Sequence, residues 1–356
     1  MEKMVENNNF WKDKKVLLTG HSGFKGSWLT IWLNNLGAEV YGISLEPEKT
    51  EKNLFDDAKI KNLCNNIFCD ITDPASIAAE IQNIKPDIVF HLAAQALVRD
   101  GYRDPYKTFN TNIMGTVNIL QSLINLSSVK VAVMVTTDKV YRNNEWIWPY
   151  REDDYLGGVD PYSSSKAASE IVIASYRDSV LKDQDISIAS ARAGNVIGGG
   201  DWSKERLIPD IIRAWNNGKK VKIRNPQATR PWQHVLDPLN GYLILAEKLW
   251  NNKNISGAYN FGPGSDGTNN VGSIIKMASF FYGDGSILID TDKDGYHEAG
   301  LLALDPSKSE NILQVKCNFT TEEAVQMTIS WYKNNNLGHD AYDLCMKDIN
   351  NYMNFK

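Results

Sequence analysis

The chain has 356 residues, of which 42% are hydrophobic and 23% are charged, and its formal net charge is −5. This length exceeds what one hydrophobic core usually serves, so we expect a large domain with a smaller one attached. The acidic balance argues against bulk attraction to nucleic acid or to an anionic membrane. Four cysteines without a CxxC pair, no apolar leader and no apolar window of about 18 residues favour a cytoplasmic protein without structural disulfides.

The first half of the chain alternates strand-like apolar runs with helix-like segments. Strands are predicted near 14–20, 39–44, 66–69, 87–93, 129–136 and 185–193, and helices near 25–36, 74–84, 106–125 and 161–180. This alternation predicts an α/β fold with a Rossmann-type, doubly wound parallel sheet, whose ligands bind at the carboxyl ends of the strands. After about residue 195, glycines and prolines interrupt the pattern. We therefore predict a Rossmann domain over residues 1–194 and a smaller mixed α/β substrate domain over 195–356, partly interleaved with the first.

The segment TGHSGFKG, residues 19–26, joins the first strand to the first helix. Its GxxGxxG spacing suits a tight turn, close approach of the backbone to a pyrophosphate, and a helix N-terminus whose N–H groups bind the anion. A structural glycine-rich turn is the alternative, but the position at the first βα turn favours dinucleotide binding. The cofactor contacts expected here are Gly20, His21, Ser22, Gly23, Phe24, Lys25 and Gly26.

A tyrosine and a lysine are spaced as YxxxK at Tyr162 and Lys166. Four residues apart, they share one face of the predicted helix. A nearby ammonium favours the phenolate of a tyrosine, whose ordinary pKa is about 10. Such a phenolate can take the proton of a hydroxyl while hydride leaves the same carbon. The motif is common on exposed helices, but here it follows both the glycine turn and a strand that ends at Thr137, so it predicts an oxidation site.

Together, these three features resemble the extended short-chain dehydrogenase/reductase superfamily. The resemblance implies that Thr137 lies beside the substrate hydroxyl and that Asp70 and Ile71 hold adenine. It further implies cofactor contacts from Leu92, Ala93 and Ala94, and from Tyr162 and Lys166. The position that reads the ribose aligns with Ser44, and no arginine lies immediately there to bind a 2′-phosphate. The sequence therefore favours NAD over NADP.

Asp138 and Lys139 directly follow Thr137, although a simple reductase or a sugar epimerase needs neither. An adjacent acid and amine suit a second step in which one proton is removed and another is supplied. The segments GHSGFKGSWL, TDKVYRNNEWIWPYREDDYLGGVDPYSSSKAASE, NVIGGGDWSKERLIPD and RNPQATRPWQHVLDPLNGYL resemble CDP-glucose 4,6-dehydratases. The resemblance spans roughly residues 10–335 of the chain.

This resemblance implies oxidation at C4 of CDP-glucose, loss of water across C5 and C6, and return of hydride to C6. The product would be CDP-4-dehydro-6-deoxy-D-glucose, a precursor for deoxysugars and O-antigen-type polysaccharides. It assigns Asp138 as the acid for the leaving hydroxyl and Lys139 as the base at C5. The exchanged assignment stays open, because a lysine base must be neutral and an adjacent carboxylate favours the ammonium form.

Residues that would contact the nucleotide sugar are Gln95, Arg99, Asn195, Arg206, Arg230 and His234. Arg206 and Arg230 suit bidentate binding of a diphosphate, with surface salt bridges as the alternative. His234 has no neighbouring His or Cys at ligand spacing, so a packed histidine is favoured over a metal ligand and we predict no metal. The resemblance also implies a homodimer, formed through the helices near 106–125 and 161–180, with a tetramer as the alternative.

Two other functional classes remain open at this point. One is another nucleotide-sugar 4,6-dehydratase or a 4-epimerase of the same fold. The other is a sensor that binds NAD(P) without catalysis, which would need neither Tyr162 nor Lys166.

Overall fold

The structure is a computed structural model that describes residues 8–49, 51–223, 225–264, 268–283, 287–289 and 300–354. Its strands are β1 (Lys15–Thr19), β2 (Glu39–Ser44), β3 (Asn65–Phe68), β4 (Ile88–His91), β5 (Val131–Val135), β6 (Ser187–Ala193), β7 (Val196–Ile197), β8 (Val221–Ile223), β9 (Thr229–Pro231), β10 (Gln233–His234), β11 (Gly257–Phe261), β12 (Thr268–Asn270) and β13 (Ile287–Ile289). Its α-helices are α1 (Asn8–Trp11), α2 (Phe24–Asn35), α3 (Leu54–Asp57), α4 (Pro74–Ile84), α5 (Val98–Arg103), α6 (Pro105–Phe109), α7 (Gly115–Ser122), α8 (Pro161–Ser175), α9 (Leu207–Asn216), α10 (Leu236–Asn251), α11 (Val271–Tyr282), α12 (Thr321–Asn336) and α13 (Ala341–Met353). None of these helices is long and apolar enough to cross a membrane.

Seven parallel strands form one sheet in the order β11-β6-β5-β4-β1-β2-β3. Strands β4, β5 and β6 are buried along their whole length, because helices cover both faces of such a sheet. The strand order reverses between β1 and β4, and this switch point opens a crevice at the carboxyl ends. The predicted doubly wound sheet is confirmed.

The second half of the chain contributes both to this sheet and to smaller pairs of strands. Within the described ranges, β7 pairs with β10, β8 with β13 and β9 with β12. Strand β11, in contrast, forms an edge of the large sheet by pairing with β6, and α10 packs on β5 and β6. Strand β11 and helix α10, both beyond residue 194, thus complete the large sheet and part of its helical cover. The division of the chain at that residue stays a prediction.

Two helices predicted as continuous are interrupted or altered. The segment near 106–125 contains α6, a π-helical turn at Asn110–Met114, and α7. The segment near 161–180 is α8 followed by a π-helical turn at Tyr176–Val180. Helix α8 begins sharply, because Pro161 occupies its first turn and the Asp160 carboxylate accepts a hydrogen bond from the Ser163 N–H at 3.0 Å.

Candidate active site

A cavity of about 1140 Å³ lies at the carboxyl ends of the central strands, between the large sheet and the second half of the chain. Most of the predicted site residues line it. They are Gly20, Ser22, Gly23, Phe24, Lys25, Gly26, Asp70, Ile71, Leu92, Ala93, Ala94, Arg99, Thr137, Asp138, Lys139, Tyr162, Lys166, Asn195, Arg206 and Arg230. Residues predicted for cofactor, catalysis and substrate therefore share one space.

Three predicted site residues, His21, Gln95 and His234, are not among the residues that line this cavity, and their roles stay predictions. The buried ring of His21 packs against Gly42 of β2, and its Nε2 lies 2.6 Å from Asn66 Oδ1. Gln95 Nε2 donates to Thr108 Oγ1 of α6 at 2.9 Å, and Gln95 Oε1 accepts from the Leu97 N–H of its own loop at 2.6 Å. His234 is fully buried among aromatic rings, and burial lowers its pKa to about 3. Each of the three contacts a residue more than ten positions away in the sequence, and such contacts cannot be read from the spacing of motifs.

The glycine turn is packed so tightly that side chains are excluded. Gly20 has φ +77°, and a Cβ built on it would lie 2.7 Å from the backbone nitrogen of Ala93. A Cβ on Gly26 would lie 2.1 Å from the Gly20 carbonyl oxygen. Gly23 precedes α2 without any side-chain cap, so the first N–H groups of this helix remain available to an anion. The turn fits a dinucleotide pyrophosphate.

We expect Gly20→Ala to weaken NAD binding at least about tenfold and to lower the free energy of unfolding by about 2–4 kcal/mol, because left-handed strain adds to overpacking. Gly218→Ala is the matched control, since Gly218 has φ +63° but nothing within 4 Å of a built Cβ. This control should show the strain alone, with NAD affinity unchanged. NAD titration and urea unfolding measure both effects. Equal losses in the two variants would contradict a tightly packed cradle.

Tyr162 and Lys166 extend from the first two turns of α8 toward the end of β5. The Lys166 ammonium donates to the Val135 carbonyl at 3.0 Å, and burial lowers its pKa to about 8. Burial raises the pKa of Tyr162 to about 12, against the opposing effects of a hydrogen bond with Thr137 and the charge of Arg206. The phenol thus needs additional positive charge to ionise near neutral pH, and an oxidised nicotinamide supplies such a charge when bound.

Asp138 and Lys139 lie beside these groups, in a 3₁₀ turn that begins directly after Thr137. Asp138 is 2% exposed. Its Oδ1 accepts from Thr137 Oγ1 at 3.0 Å, and its Oδ2 has no hydrogen-bond partner among the described residues. Burial raises the pKa of this carboxyl, although Lys139, Thr137 and Arg230 oppose the shift. The Lys139 Nζ lies 5.9 Å from the centroid of the Tyr162 ring. An acid and an amine therefore face the same space as the phenol.

Cationic side chains surround the middle of the cavity. Arg206 Nη1 lies 3.0 Å from Asp201 Oδ2, and Arg99 Nη1 lies 3.8 Å from Glu205 Oε1. Burial and the charge of Arg206 lower the pKa of Lys25 to about 8. The acids Asp201 and Glu205 were missed from the sequence, although both lie within five positions of Arg206. In the described ranges, no group of three His, Cys, Asp or Glu side chains is placed to hold a metal ion.

Known proteins share this fold and, in part, this sequence. Residues 16–262 match the NAD dependent epimerase/dehydratase family. The chain is 42% identical over 352 residues to a CDP-glucose 4,6-dehydratase from Salmonella typhimurium, a match that covers 97% of this chain and 98% of that one.

Two solved structures share the fold at lower identity. A dTDP-glucose 4,6-dehydratase from Bacillus anthracis in complex with NAD has a TM-score of 0.76 at 22% identity and covers 90% of this chain and 97% of its own. A UDP-glucose-4-epimerase from Stenotrophomonas maltophila with bound NAD has a TM-score of 0.78 at 22% identity and covers 92% of this chain and 100% of its own. From the family match and the CDP-glucose dehydratase match together, the chain belongs to the NAD dependent epimerase/dehydratase family.

Proposed function

We propose that the chain is a hydro-lyase that converts CDP-D-glucose to CDP-4-dehydro-6-deoxy-D-glucose and water, with NAD as its cofactor. The observation that carries this function is the Asp138–Lys139 pair, which shares one cavity with Thr137, Tyr162 and Lys166. Thr137, Tyr162 and Lys166 suffice for oxidation. Asp138 and Lys139 supply the acid and the base that elimination of water needs. The 42% identity to a CDP-glucose 4,6-dehydratase supports the choice of nucleotide.

The glycine turn would hold the NAD pyrophosphate on the N-terminus of α2, and Asp70 and Ile71 would hold its adenine end. Bound there, NAD supplies the chemistry of accepting a hydride from C4 of the glucose and returning it to C6. Tyr162 takes the proton of the C4 hydroxyl, and Thr137 orients that hydroxyl. Lys166 keeps a positive charge beside the phenolate.

The ketone formed at C4 acidifies the proton on C5, and the second pair then acts. Lys139 removes the C5 proton, while Asp138 donates a proton to the C6 hydroxyl, which leaves as water. The raised pKa of the buried Asp138 carboxyl supports its role as the donor, because burial favours the protonated form. A proton returned to C5 completes the 6-deoxy product.

The second half of the chain would bind the substrate. Arg206 and Arg230 are suited to the diphosphate oxygens, and Asn195 lines the same cavity. Arg99 on α5 lines the same cavity. These four contacts are part of the proposal.

The test is to incubate the protein with NAD and each of CDP-, UDP- and dTDP-glucose. We expect a 4-keto-6-deoxy sugar, formed fastest from CDP-glucose. With substrate deuterated at C4, the label should appear at C6 of the product. A C4 epimer that keeps its label at C4 would instead establish the 4-epimerase alternative, which uses Tyr162 and Lys166 but not the Asp138–Lys139 pair. A preference for another nucleotide would make the chain a different 4,6-dehydratase.

We further propose a homodimer in the cytoplasm that supplies deoxysugar precursors for O-antigen-type polysaccharides. The four cysteines are unpaired thiols, as is usual in a reducing compartment. Large apolar side chains are exposed on the helices α6 and α8 and on the π-helical turns next to them. They are Tyr106, Phe109, Met114, Ile171 and Val180. A second copy of the chain would cover this surface.

We expect Ile171→Asp to convert the dimer to a monomer of 40.0 kDa, because a carboxylate cannot be buried unpaired between two copies. Light scattering after size exclusion measures the mass. The same change at Phe280 on α11, which is 79% exposed, should leave the dimer intact. A wild-type protein that is already monomeric would overturn this assembly.

A further inference from the structure

A buried carboxylate lies one helical turn beyond Lys166, outside the cavity. Glu170 on α8 is 3% exposed and accepts three hydrogen bonds. The donors are Thr136 Oγ1 at 2.5 Å, Ser190 Oγ at 2.7 Å and Arg192 Nη2 at 2.9 Å. A buried charge of this kind is tolerated only when it is paired and hydrogen-bonded, and Glu170 meets both conditions.

The donors to Glu170 come from the two strands that form the floor of the site. Thr136 is the residue directly before Thr137, at the point where β5 ends, and its N–H donates to the Ala191 carbonyl of β6 at 2.9 Å. Ser190 and Arg192 lie on β6. One carboxylate therefore joins α8, which carries Tyr162 and Lys166, to the strand end that carries Thr137 and Asp138.

Arg192 anchors the other side of the carboxylate. Its Nη1 donates to Tyr141 Oη at 2.9 Å and to the Glu152 carbonyl at 2.9 Å. Tyr141 in turn donates to Asn260 Oδ1 of β11 at 2.6 Å. The network thus extends from the catalytic helix to the edge strand of the sheet, so Glu170 is held in one position.

The charges that face Lys166 differ in sign. Lys25 lies on α2, and the charge of Lys166 contributes to lowering the pKa of Lys25. His91 on β4 is buried and neutral, because burial and Lys166 lower its pKa to about 3. Tyr162, on the same helix, carries no charge at neutral pH in the absence of cofactor, because burial raises its pKa to about 12. Glu170 supplies the negative charge that opposes the burial of Lys166 and raises the pKa of its ammonium.

We propose that Glu170 is a positioning residue for the reaction. Its hydrogen bonds fix the Thr137–Asp138 strand end against the Tyr162–Lys166 helix, and its charge keeps Lys166 in the ammonium form. This inference rests on the proposed oxidation at Tyr162, but it assigns a role to a residue that does not touch the cavity.

The test compares the pH dependence of turnover in Glu170→Gln with that in Glu170→Asp. Without the carboxylate charge, Lys166 loses its proton at lower pH. A neutral Lys166 no longer stabilises the Tyr162 phenolate. The alkaline limb of the kcat profile should therefore move down by about one pH unit, which is a loss of about tenfold in kcat on that limb. Glu170→Asp keeps the charge, so its limb should stay in place while kcat falls uniformly.

Two further variants keep the test decisive if Glu170→Gln does not fold. The double variant Glu170→Gln/Arg192→Gln exchanges the ion pair for neutral amides and should show the same shift of the limb. Thr136→Val removes one hydrogen bond but no charge, and should lower kcat without moving the limb. The control is Glu247→Gln, the same change at a carboxylate on α10 that accepts from Trp11 Nε1 at 2.6 Å. This control should leave both kcat and the limb unchanged.

A second readout separates this inference from the proposed function. Near-ultraviolet titration of the NAD complex, compared with Tyr162→Phe, follows the Tyr162 phenolate without any sugar. Its pKa should be higher in the Glu170→Gln variants than in the wild type. An unchanged titration and an unchanged limb would reduce Glu170 to a structural ion pair. If no nucleotide sugar is dehydrated by the wild type, the proposed function fails, while the titration still decides the role of Glu170.

Discussion

Tyr162→Phe is expected to lower kcat for CDP-glucose by about 10³-fold or more while NAD still binds with nearly wild-type affinity. In the proposed mechanism the phenol accepts the proton of the C4 hydroxyl, so its loss should stop the reaction before the C4–H bond breaks. The pyrophosphate cradle at the start of α2 does not involve the ring of Tyr162. Steady-state product formation and NAD titration measure the two properties separately.

A matched control is Tyr176→Phe, which removes a phenol from the segment that directly follows α8. The hydroxyl of Tyr176 donates to Gln121 Oε1 at 2.9 Å on the outside of the helix layer. This variant should turn over like the wild type. Retention of more than about a tenth of the activity by Tyr162→Phe would assign the proton transfer to another group.

Lys139→Met and Asp138→Asn should each stop the loss of water, by about 10²–10⁴-fold in kcat, but allow oxidation at C4. In a single turnover, absorbance of the reduced nicotinamide should then appear and persist. Without loss of water, no C5–C6 double bond forms, so C6 cannot accept the hydride. The two variants should differ in deuterated water. Lys139→Met should block exchange of the C5 proton, whereas Asp138→Asn should allow that exchange and block departure of the C6 hydroxyl.

The opposite pattern of exchange would reverse the two roles, with Asp138 as the base and Lys139 as the donor. Lys130→Met is the matched control, since Lys130 lies at the other end of β5 and pairs with Asp185 on the surface. It should keep full activity. Full dehydration by Lys139→Met would remove the pair from the mechanism and favour an epimerase-like site.

Local signals predicted the sheet and the centre of the site. The glycine turn, the strand end at Thr137 and the YxxxK pair each occupy a short stretch whose chemistry depends on neighbours in sequence. Their convergence follows from one rule, because the carboxyl ends of parallel strands lie on one edge of the sheet. For that reason Tyr162 and Asp138 could be placed together without coordinates.

Contacts between distant segments escaped prediction. His21 and His234 have side chains that suit a binding site, but both rings are buried. The ring of His21 contacts Asn66 and that of His234 contacts Phe319, and neither partner is close in sequence. Glu170 was overlooked, although its position four residues after Lys166 is a usable signal. The π-helical turn at Asn110–Met114 was also unforeseen, because the apolar spacing of residues 106–125 fits a continuous helix equally well.

The edge strand β11 has a consequence for how the chain is made. Its residues, Gly257–Phe261, pair with Ala189–Ala193 of β6, so almost seventy residues separate the two partners. While a ribosome is still adding the intervening segment, β6 presents an unpaired edge, and such an edge invites pairing with other chains. The large sheet can therefore be completed only after residue 261 has left the exit tunnel, so this sheet is expected to form late in synthesis.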